Sequence, residues 1–300
     1  MRLRPAKTFL EKAAYTFVFI ALVQHYAHAT DDHPGDYIPL PAGTSALVSY
    51  SYYGIDNGGN FNGRNFSGSD TGLQFAEEVV RYVHYAKVLD FTVDANLFIP
   101  FGGYWGGQIG GIELNNKFGA FDPLLASTIW LLSQETGRYF AITPVLYIPL
   151  GSYTAGDALN TGEGRWKGTL ETGWVEPLIP NTLTLELNGN VTWFGQNNRS
   201  GNGNQTLTQS PSFQLQPWLR YSFVPLKQSV SLGYFGQFSG GQRIGGFSNG
   251  FRTSEQAIRV NYQQLLTDRS QLSLTLAHDL AVSGGFRQVF LLDFRLAILF

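Results

Sequence analysis

Apolar and polar side chains alternate most regularly in the stretch from Val289 to Phe300. Its apolar positions are Phe290, Leu292, Phe294, Leu296, Ile298 and Phe300, and the positions between them include Asp293 and Arg295. Because successive side chains of a strand point to opposite faces, the pattern predicts a strand with one apolar and one partly charged face. A final strand that ends on an aromatic residue is typical of an outer-membrane β-barrel. We therefore expect Phe300 to be the signal read by the outer-membrane assembly machinery.

The same alternation recurs in three earlier strands, 182–194, 254–265 and 271–282. In the first of these, leucine, valine and tryptophan occupy one face, and threonine, asparagine and Glu186 occupy the other. A soluble lipocalin-type barrel would alternate in the same way with its apolar face inside, so alternation alone does not separate the two classes. In a membrane barrel the polar face would line a hydrated lumen.

Twelve segments are predicted to be strands, which gives an all-β fold, a transmembrane antiparallel β-barrel. They are 45–54, 76–87, 91–100, 122–132, 138–149, 168–176, 182–194, 212–223, 228–238, 254–265, 271–282 and 289–300.

The connections between these strands alternate in length. Five are short, and between them lie long polar segments at 55–75, 101–121, 150–167, 195–211 and 239–253. Only the last outer connection, 283–288, breaks the alternation. Short periplasmic turns and long extracellular loops are characteristic of outer-membrane barrels, whereas a soluble sandwich gives no reason for such alternation. The loop pattern, the barrel length and Phe300 together favour the membrane.

Two features fit a regular barrel less well. Pro144 and Pro217 fall inside predicted strands, where each removes a ladder hydrogen bond, so we expect a β-bulge or a local kink at these points. The glycine-rich run Gly102 to Gly111 superficially resembles a phosphate-binding loop. It lacks the Lys-Ser/Thr ending and a following helix, and we therefore expect an ordinary loop.

Residues 1–29 have the features of a cleaved signal peptide. A basic start is followed by the apolar segment Ala13 to Val23 and by the small-x-small sequence Ala27-His28-Ala29. Residues 30–44 are rich in proline, and we expect a periplasmic lead-in that folds against the pore or into it. Residues 45–300 would then form the barrel.

Composition restricts the possible functions. Residues 1–29 carry a net charge of +3, so the remaining chain has −5 rather than −2, and no basic tract remains to bind nucleic acid. The chain has no cysteine, which excludes disulfides and thiol chemistry. No apolar run reaches the roughly 18 residues of a transmembrane helix.

No catalytic, metal or cofactor site is predicted. His278 lies on the apolar face of its strand with no serine near it in sequence, and an outer-membrane phospholipase would need a serine beside the histidine. His33, with Asp31 and Asp32, is expected to be a solvated part of the N-terminus rather than a metal site.

The charged side chains on the polar faces are the candidate pore-lining residues. They are Arg81, Asp94, Glu171, Glu186, Arg220, Arg259, Asp279, Asp293 and Arg295. Two roles remain open. Mixed charges can pair across a lumen and rigidify it, or Arg220, Arg259 and Arg295 can form an electropositive constriction that holds a carboxylate or phenolate in transit.

The segment from Gly35 to Thr44, running into Val48-Ser49-Tyr50-Ser51-Tyr52-Tyr53, resembles the start of the family described as the putative MetA-pathway of phenol degradation. Gly119-Ala120-Phe121-Asp122-Pro123 and Pro149-Leu150-Gly151-Ser152-Tyr153 resemble it further. The resemblance implies an outer-membrane barrel that passes aromatic or other hydrophobic compounds, and it assigns no binding residue.

The leading hypothesis is therefore a twelve-stranded outer-membrane channel without enzymatic activity that takes up small, aromatic or hydrophobic molecules by diffusion. Its partners would be the lipid bilayer, the assembly machinery and a small-molecule solute. The alternatives are a structural or adhesive barrel without transport, an outer-membrane enzyme and, more distantly, a soluble secreted β-protein. The pattern does not address the oligomeric state.

Overall fold

The computed structural model describes residues 31–61, 63–201, 204–225, 227–249 and 252–300. The predicted signal peptide lies outside the described residues. No helix in this part of the chain is long and apolar enough to cross a membrane.

Twelve antiparallel strands of the described residues form a closed barrel, as predicted. They are β1 (Ser45–Phe61), β2 (Gly72–Val88), β3 (Phe91–Ile109), β4 (Leu124–Ala126 and Ile129–Ser133), β5 (Tyr139–Tyr147), β6 (Lys167–Ile179), β7 (Leu183–Phe194), β8 (Ser212–Val224), β9 (Gln228–Phe238), β10 (Ser254–Thr267), β11 (Ser270–Ser283) and β12 (Gly285–Leu299). Each strand pairs with the next in sequence, and β12 closes the barrel on β1 through pairs such as Tyr50 with Arg295.

Strands β1 and β3 extend far into segments that were expected to be loops. Asn57 to Asn60 and Gly102 to Gln108, both expected in loops, belong to β1 and β3. The glycines permit this extension because they allow close backbone approach. A Cβ on Gly102, where φ is 156°, would lie 2.1 Å from the carbonyl oxygen of Ala76. The run that resembled a phosphate-binding loop is therefore a strand.

Several of the long loops outside the barrel contain short strands. Asn197–Ser200, Gln205–Gln209, Gln242–Ile244 and Phe247–Ser248 form a separate four-stranded sheet from the β7–β8 and β9–β10 connections. The β5–β6 connection is anchored by Glu163, which accepts hydrogen bonds from Arg165 (2.8 Å) and Lys167. Burial would raise the pKa of Glu163, but Lys167 and Arg165 lower it to about 2.

Both prolines stand where a ladder is interrupted. Opposite Pro144, β4 breaks at Ser127 and Thr128, and the side chain of Asp94 accepts the backbone N–H of Thr128 at 2.6 Å. At Pro217 the β8–β9 pairing skips from Leu215–Gly236 to Trp218–Gly233 without a change of register. The bond from Thr128 to Asp94 ties the break in β4 to its other neighbour, β3, and does not replace the N–H that Pro144 lacks. The second site is a gap in the pairing.

The outward faces are apolar, as the alternation predicted. On β11 the outward side chains are Leu272, Leu274, Leu276, His278 and Leu280, and the inward side chains between them are buried. An outward band of this kind suits lipid.

Leu274→Arg should therefore destabilise the barrel by about 2–4 kcal/mol, because it places a cation in the apolar band. Gln271→Arg, on the inner face of the same strand, should cost little since Gln271 lines an open cavity. Unfolding in lipid vesicles would measure both, and equal losses would contradict the assigned faces.

Candidate functional site

The segment from Asp31 to Gly43, here called the plug, lies inside the barrel. Three wall side chains form hydrogen bonds with its backbone: Gln263 Nε2 donates to the oxygen of Pro34 (2.6 Å), Glu186 accepts from the N–H of Gly35 (2.7 Å), and Trp130 Nε1 donates to the oxygen of Tyr37 (2.9 Å). The segment 30–44 was expected to fold either against the pore or into it, and its described part lies inside the barrel.

Ion pairs also join the plug to β10 and β12. Arg259 contacts Asp31 at 3.0 Å, Arg295 contacts Asp36 at 3.0 Å, and His33 Nε2 lies 2.5 Å from Asp293. Burial would lower the pKa of His33, but Asp293 and Asp36 raise it to about 10. His33 is therefore an imidazolium at neutral pH, and both of its acidic neighbours stabilise that charge.

His33, Asp31 and Asp32 were expected in solvent, and that prediction is wrong. His33 and Asp32 are almost fully buried. His33 pairs with Asp293 of the wall, and Asp32 lies in the smaller cavity with Arg81 and Glu171. Charge complementarity was the available signal, because the inner faces of the strands carry arginines and the plug carries three aspartates within six residues. The arginines of the wall and the aspartates of the plug each reduce the free-energy cost of burying the other.

Tyr37 anchors the middle of the plug by packing. Its ring covers Gly173 of β6 so closely that a Cβ there would lie 2.1 Å from the Cγ of Tyr37. The ring is 3% exposed. Because Gly173 has no side chain, it leaves the space that the ring of Tyr37 occupies. The alternation of the strand does not reveal this role.

All nine candidate pore-lining residues have side chains on the inner face. Four contact the plug directly: Glu186, Arg259, Asp293 and Arg295. Arg220 supports the plug indirectly, because its Nε donates to Glu186 at 2.8 Å. A role for these residues in a pore remains a prediction.

The other four candidates act elsewhere on the wall. Arg81 donates to Asn96 (2.8 Å) and Tyr50 (3.2 Å). Asp94 accepts the backbone N–H of Thr128 at the break in β4. Asp279 accepts the backbone N–H of Gln288 at 2.7 Å, beyond the last paired residues of β11 and β12. Glu171 lines a small cavity beside the plug.

The lumen has two chemically different walls. From β1 to β5 the inward side chains are mainly apolar and aromatic: Val48, Tyr50, Tyr52, Phe75, Val79, Val83, Tyr85, Phe98, Trp130 and Val145. From β7 to β11 they are mainly polar, among them Asn188, Gln216, Ser229, Ser231, Asn261, Gln263, Ser273 and Thr275. The expected polar lining is therefore found on one wall only, because it was inferred from strands of the second half. Its hydration remains a prediction.

Two cavities flank the plug. The larger, about 320 Å³, lies at the end of the barrel where the short turns are, between the plug and strands β1, β2 and β8–β12. The smaller, about 50 Å³, lies against β1–β6 and is lined by Asp32, Tyr37, Arg81 and Glu171, among others.

The structure brings together one serine–histidine pair that the sequence did not suggest. Ser45 Oγ lies 2.9 Å from Nδ1 of His84, outside the lumen at the short-turn end. No carboxylate among the described residues contacts His84 to complete a catalytic triad. His278 is exposed on the outward face, and its Nδ1 lies 2.7 Å from the oxygen of Val289. Within the described ranges, no group of acidic, histidine or cysteine side chains could hold a metal ion.

Arg259 distinguishes the two roles considered for the arginines. It stacks over Phe235 at 4.0 Å and donates to both Gln216 and Asp31. Arg259→Ala should cost up to about 3 kcal/mol, since it removes a guanidinium that pairs with the largely buried carboxylate of Asp31. It should also raise conductance by loosening the plug.

Planar-bilayer recording and unfolding in vesicles would test both effects, with the exposed turn residue Arg269 changed to alanine as the control. A shift of selectivity away from anions without loss of stability would instead assign Arg259 to a solute-binding constriction.

Comparison with known proteins identified one family model that matches residues 28–291, described as "Putative MetA-pathway of phenol degradation". The COG4313 outer membrane channel from Pseudomonas putida F1 is 27% identical, with a TM-score of 0.85 over 90% of this chain and 100% of that chain. The β-domain of the Bordetella autotransporter BrkA is 9% identical, with a TM-score of 0.49 over 85% and 99%. No curated protein matched the sequence.

Proposed function

This chain belongs to the family described as "Putative MetA-pathway of phenol degradation", and on that premise we propose that it is a passive channel for small aromatic or hydrophobic molecules. The chain is an outer-membrane β-barrel, and the COG4313 protein that it resembles over its whole barrel is an outer membrane channel. The proposal concerns the solute class and the diffusive mode of transport.

The two-sided lumen is the observation that carries the proposal. A channel for sugars or ions needs polar groups around the whole path, because these solutes must keep or replace their hydration. Here an aromatic and aliphatic wall faces a polar wall across the barrel. A ring or short alkyl chain can leave water along the first wall, while its polar substituent remains solvated along the second.

The plug makes the path narrow. It crosses the lumen and is fixed by ion pairs and hydrogen bonds on several strands. Large hydrophilic solutes are therefore excluded, and entry requires the plug to shift or the solute to pass beside it through the two cavities. Neither step involves a chemical reaction.

Uptake by a strain that lacks this protein, complemented with the wild-type chain, tests the proposal over a panel of aromatic acids, phenols, hydrocarbons and sugars. We expect faster uptake of the aromatic and hydrophobic compounds and little change for sugars. Equal acceleration of sugars of similar size would indicate a general porin. No acceleration of any solute, with normal barrel levels in the membrane, would favour the structural or adhesive alternative.

A further inference from the structure

The larger cavity has the size and the shape of a binding site. Its volume of about 320 Å³ is within the usual range of small-molecule sites, roughly 300–1,000 Å³. It is bounded on one side by the plug and on the other by the barrel wall, so a solute in it would be enclosed on several sides. Lys227 lies in the turn before β9, at the short-turn end, and contributes to the lining.

The lining is divided into an apolar and a polar half. Ile38 and Leu40 of the plug join Ala46, Val48, Val83, Ala297 and Leu299 of β1, β2 and β12 on the apolar half. Arg220, Ser222, Lys227, Gln228, Ser229, Gln263 and Gln271 form the polar half. Because β12, β1 and β2 are neighbours, as are β8 to β11, each half occupies adjacent strands. Arg81 and Arg295 also line the cavity from β2 and β12, and Leu265 lines it from β10.

The cavity lining also carries excess positive charge. It contains Arg81, Arg220, Lys227 and Arg295 but only one carboxylate, that of Asp36. Asp36 already forms an ion pair with Arg295. Glu186 lies behind the lining, and of the three guanidinium nitrogens of Arg220 it accepts a hydrogen bond from Nε only. Lys227 makes no ion pair within the described part of the chain. An anion beside Arg220 would be attracted more strongly than in bulk water, because this guanidinium lies inside the barrel, where the effective dielectric constant is lower. Lys227, exposed in the turn, would add a second positive charge at the mouth of the cavity.

We propose that this cavity binds amphipathic carboxylates, with the carboxylate between Arg220 and Lys227 and the ring or alkyl part against the apolar half. Arginine suits this role because its two terminal nitrogens match the geometry of a carboxylate. A neutral hydrocarbon would gain only the apolar contacts, and a cation would be repelled. The inference rests on the proposed function and deepens it by naming the solute class for this site.

Binding to the purified barrel in nonionic detergent tests the proposal separately from transport. The probes are radiolabelled 4-phenylbutyrate and the neutral 4-phenylbutanol, which share their apolar part, measured by equilibrium dialysis at two salt concentrations. We expect the acid to bind about tenfold more tightly than the alcohol at low salt and to lose this advantage at high salt. Lys227→Gln should weaken acid binding several-fold and leave alcohol binding unchanged.

Lys87→Gln is the matched control, because Lys87 is exposed at the same end of the barrel and does not line the cavity. Heat-modifiable migration would establish that both variants are folded. Equal binding of acid and alcohol, or equal effects of the two lysine substitutions, would overturn the proposal. If neutral aromatics still enter cells while the acid shows no preference, only this inference fails. If the acid binds as expected but no aromatic enters, the proposed transport fails and the binding site stands.

Discussion

A disulfide between cysteines introduced at positions 37 and 173 should reduce aromatic uptake on the order of tenfold or more, since closure of a gating element commonly limits passage. Tyr37 is the residue of the plug that packs directly on the wall, and its Cγ lies 2.1 Å from where a Cβ of residue 173 would be. The two Cβ atoms would therefore be within reach of a disulfide, which spans roughly 3.5–4.5 Å between Cβ atoms. Replacing Tyr37 also removes the ring that would clash with a side chain at position 173.

The oxidised and reduced forms of this double variant are the comparison that matters, because both lack the tyrosine ring. A reducing agent should restore uptake if solutes need the plug to move. The chain has no cysteine of its own, so the introduced pair has no competing partner. Leu274→Cys with Phe294→Cys is a suitable control, since these outward-facing residues are paired across β11 and β12 and a bond there leaves the plug and the cavities untouched. Unchanged uptake in the oxidised form would show that solutes pass beside a stationary plug.

Phe300→Asp should remove most of the assembled barrel from the outer membrane. Phe300 is exposed, its ring lies 6.4 Å from that of Tyr82, and its backbone exchanges two hydrogen bonds of 2.9 Å with Ser45. The substitution places a carboxylate at the apolar edge of the strand pair that closes the barrel, where an aromatic residue is usual. The expected assembly signal remains a prediction that this variant tests.

The amount of heat-modifiable protein in isolated outer membranes would measure the effect. Leu299→Asp is the control, because Leu299 lies on the other face of the same strand and lines the larger cavity. Loss of assembly in both variants would indicate a general intolerance of charge at the end of β12. Normal levels of Phe300→Asp would contradict the role of the aromatic residue in assembly.

The candidate site was predicted in part. Alternation assigned all nine charged residues to the inner face, because each strand places every second side chain on the same side. The alternation does not show which charged residues form ion pairs with one another. Arg259 with Asp31 and His33 with Asp293 are separated by more than two hundred residues, and neither member of a pair shows a periodic relation to the other.

The sequence by itself determined the architecture. Period-two alternation and the alternating loop lengths predicted twelve strands, and β9 has the predicted bounds at both ends. These signals are local: a strand's faces depend on its own residues, and a turn depends on the few residues within it. The errors in extent, as in Gly102 to Gln108, arose where glycine allows a strand to continue with a close neighbour.

Only the tertiary structure decided what fills the barrel. The plug shows no strand or helix periodicity, and its three aspartates and its histidine are polar enough to be expected in solvent. Their burial becomes favourable only because arginines and carboxylates from distant strands meet them at one depth of the lumen. The divided cavity likewise exists only after the closure of β12 on β1 brings Ala297 and Leu299 beside Ala46 and Val48. Closure joins residues from opposite ends of the chain, and no local pattern specifies that contact.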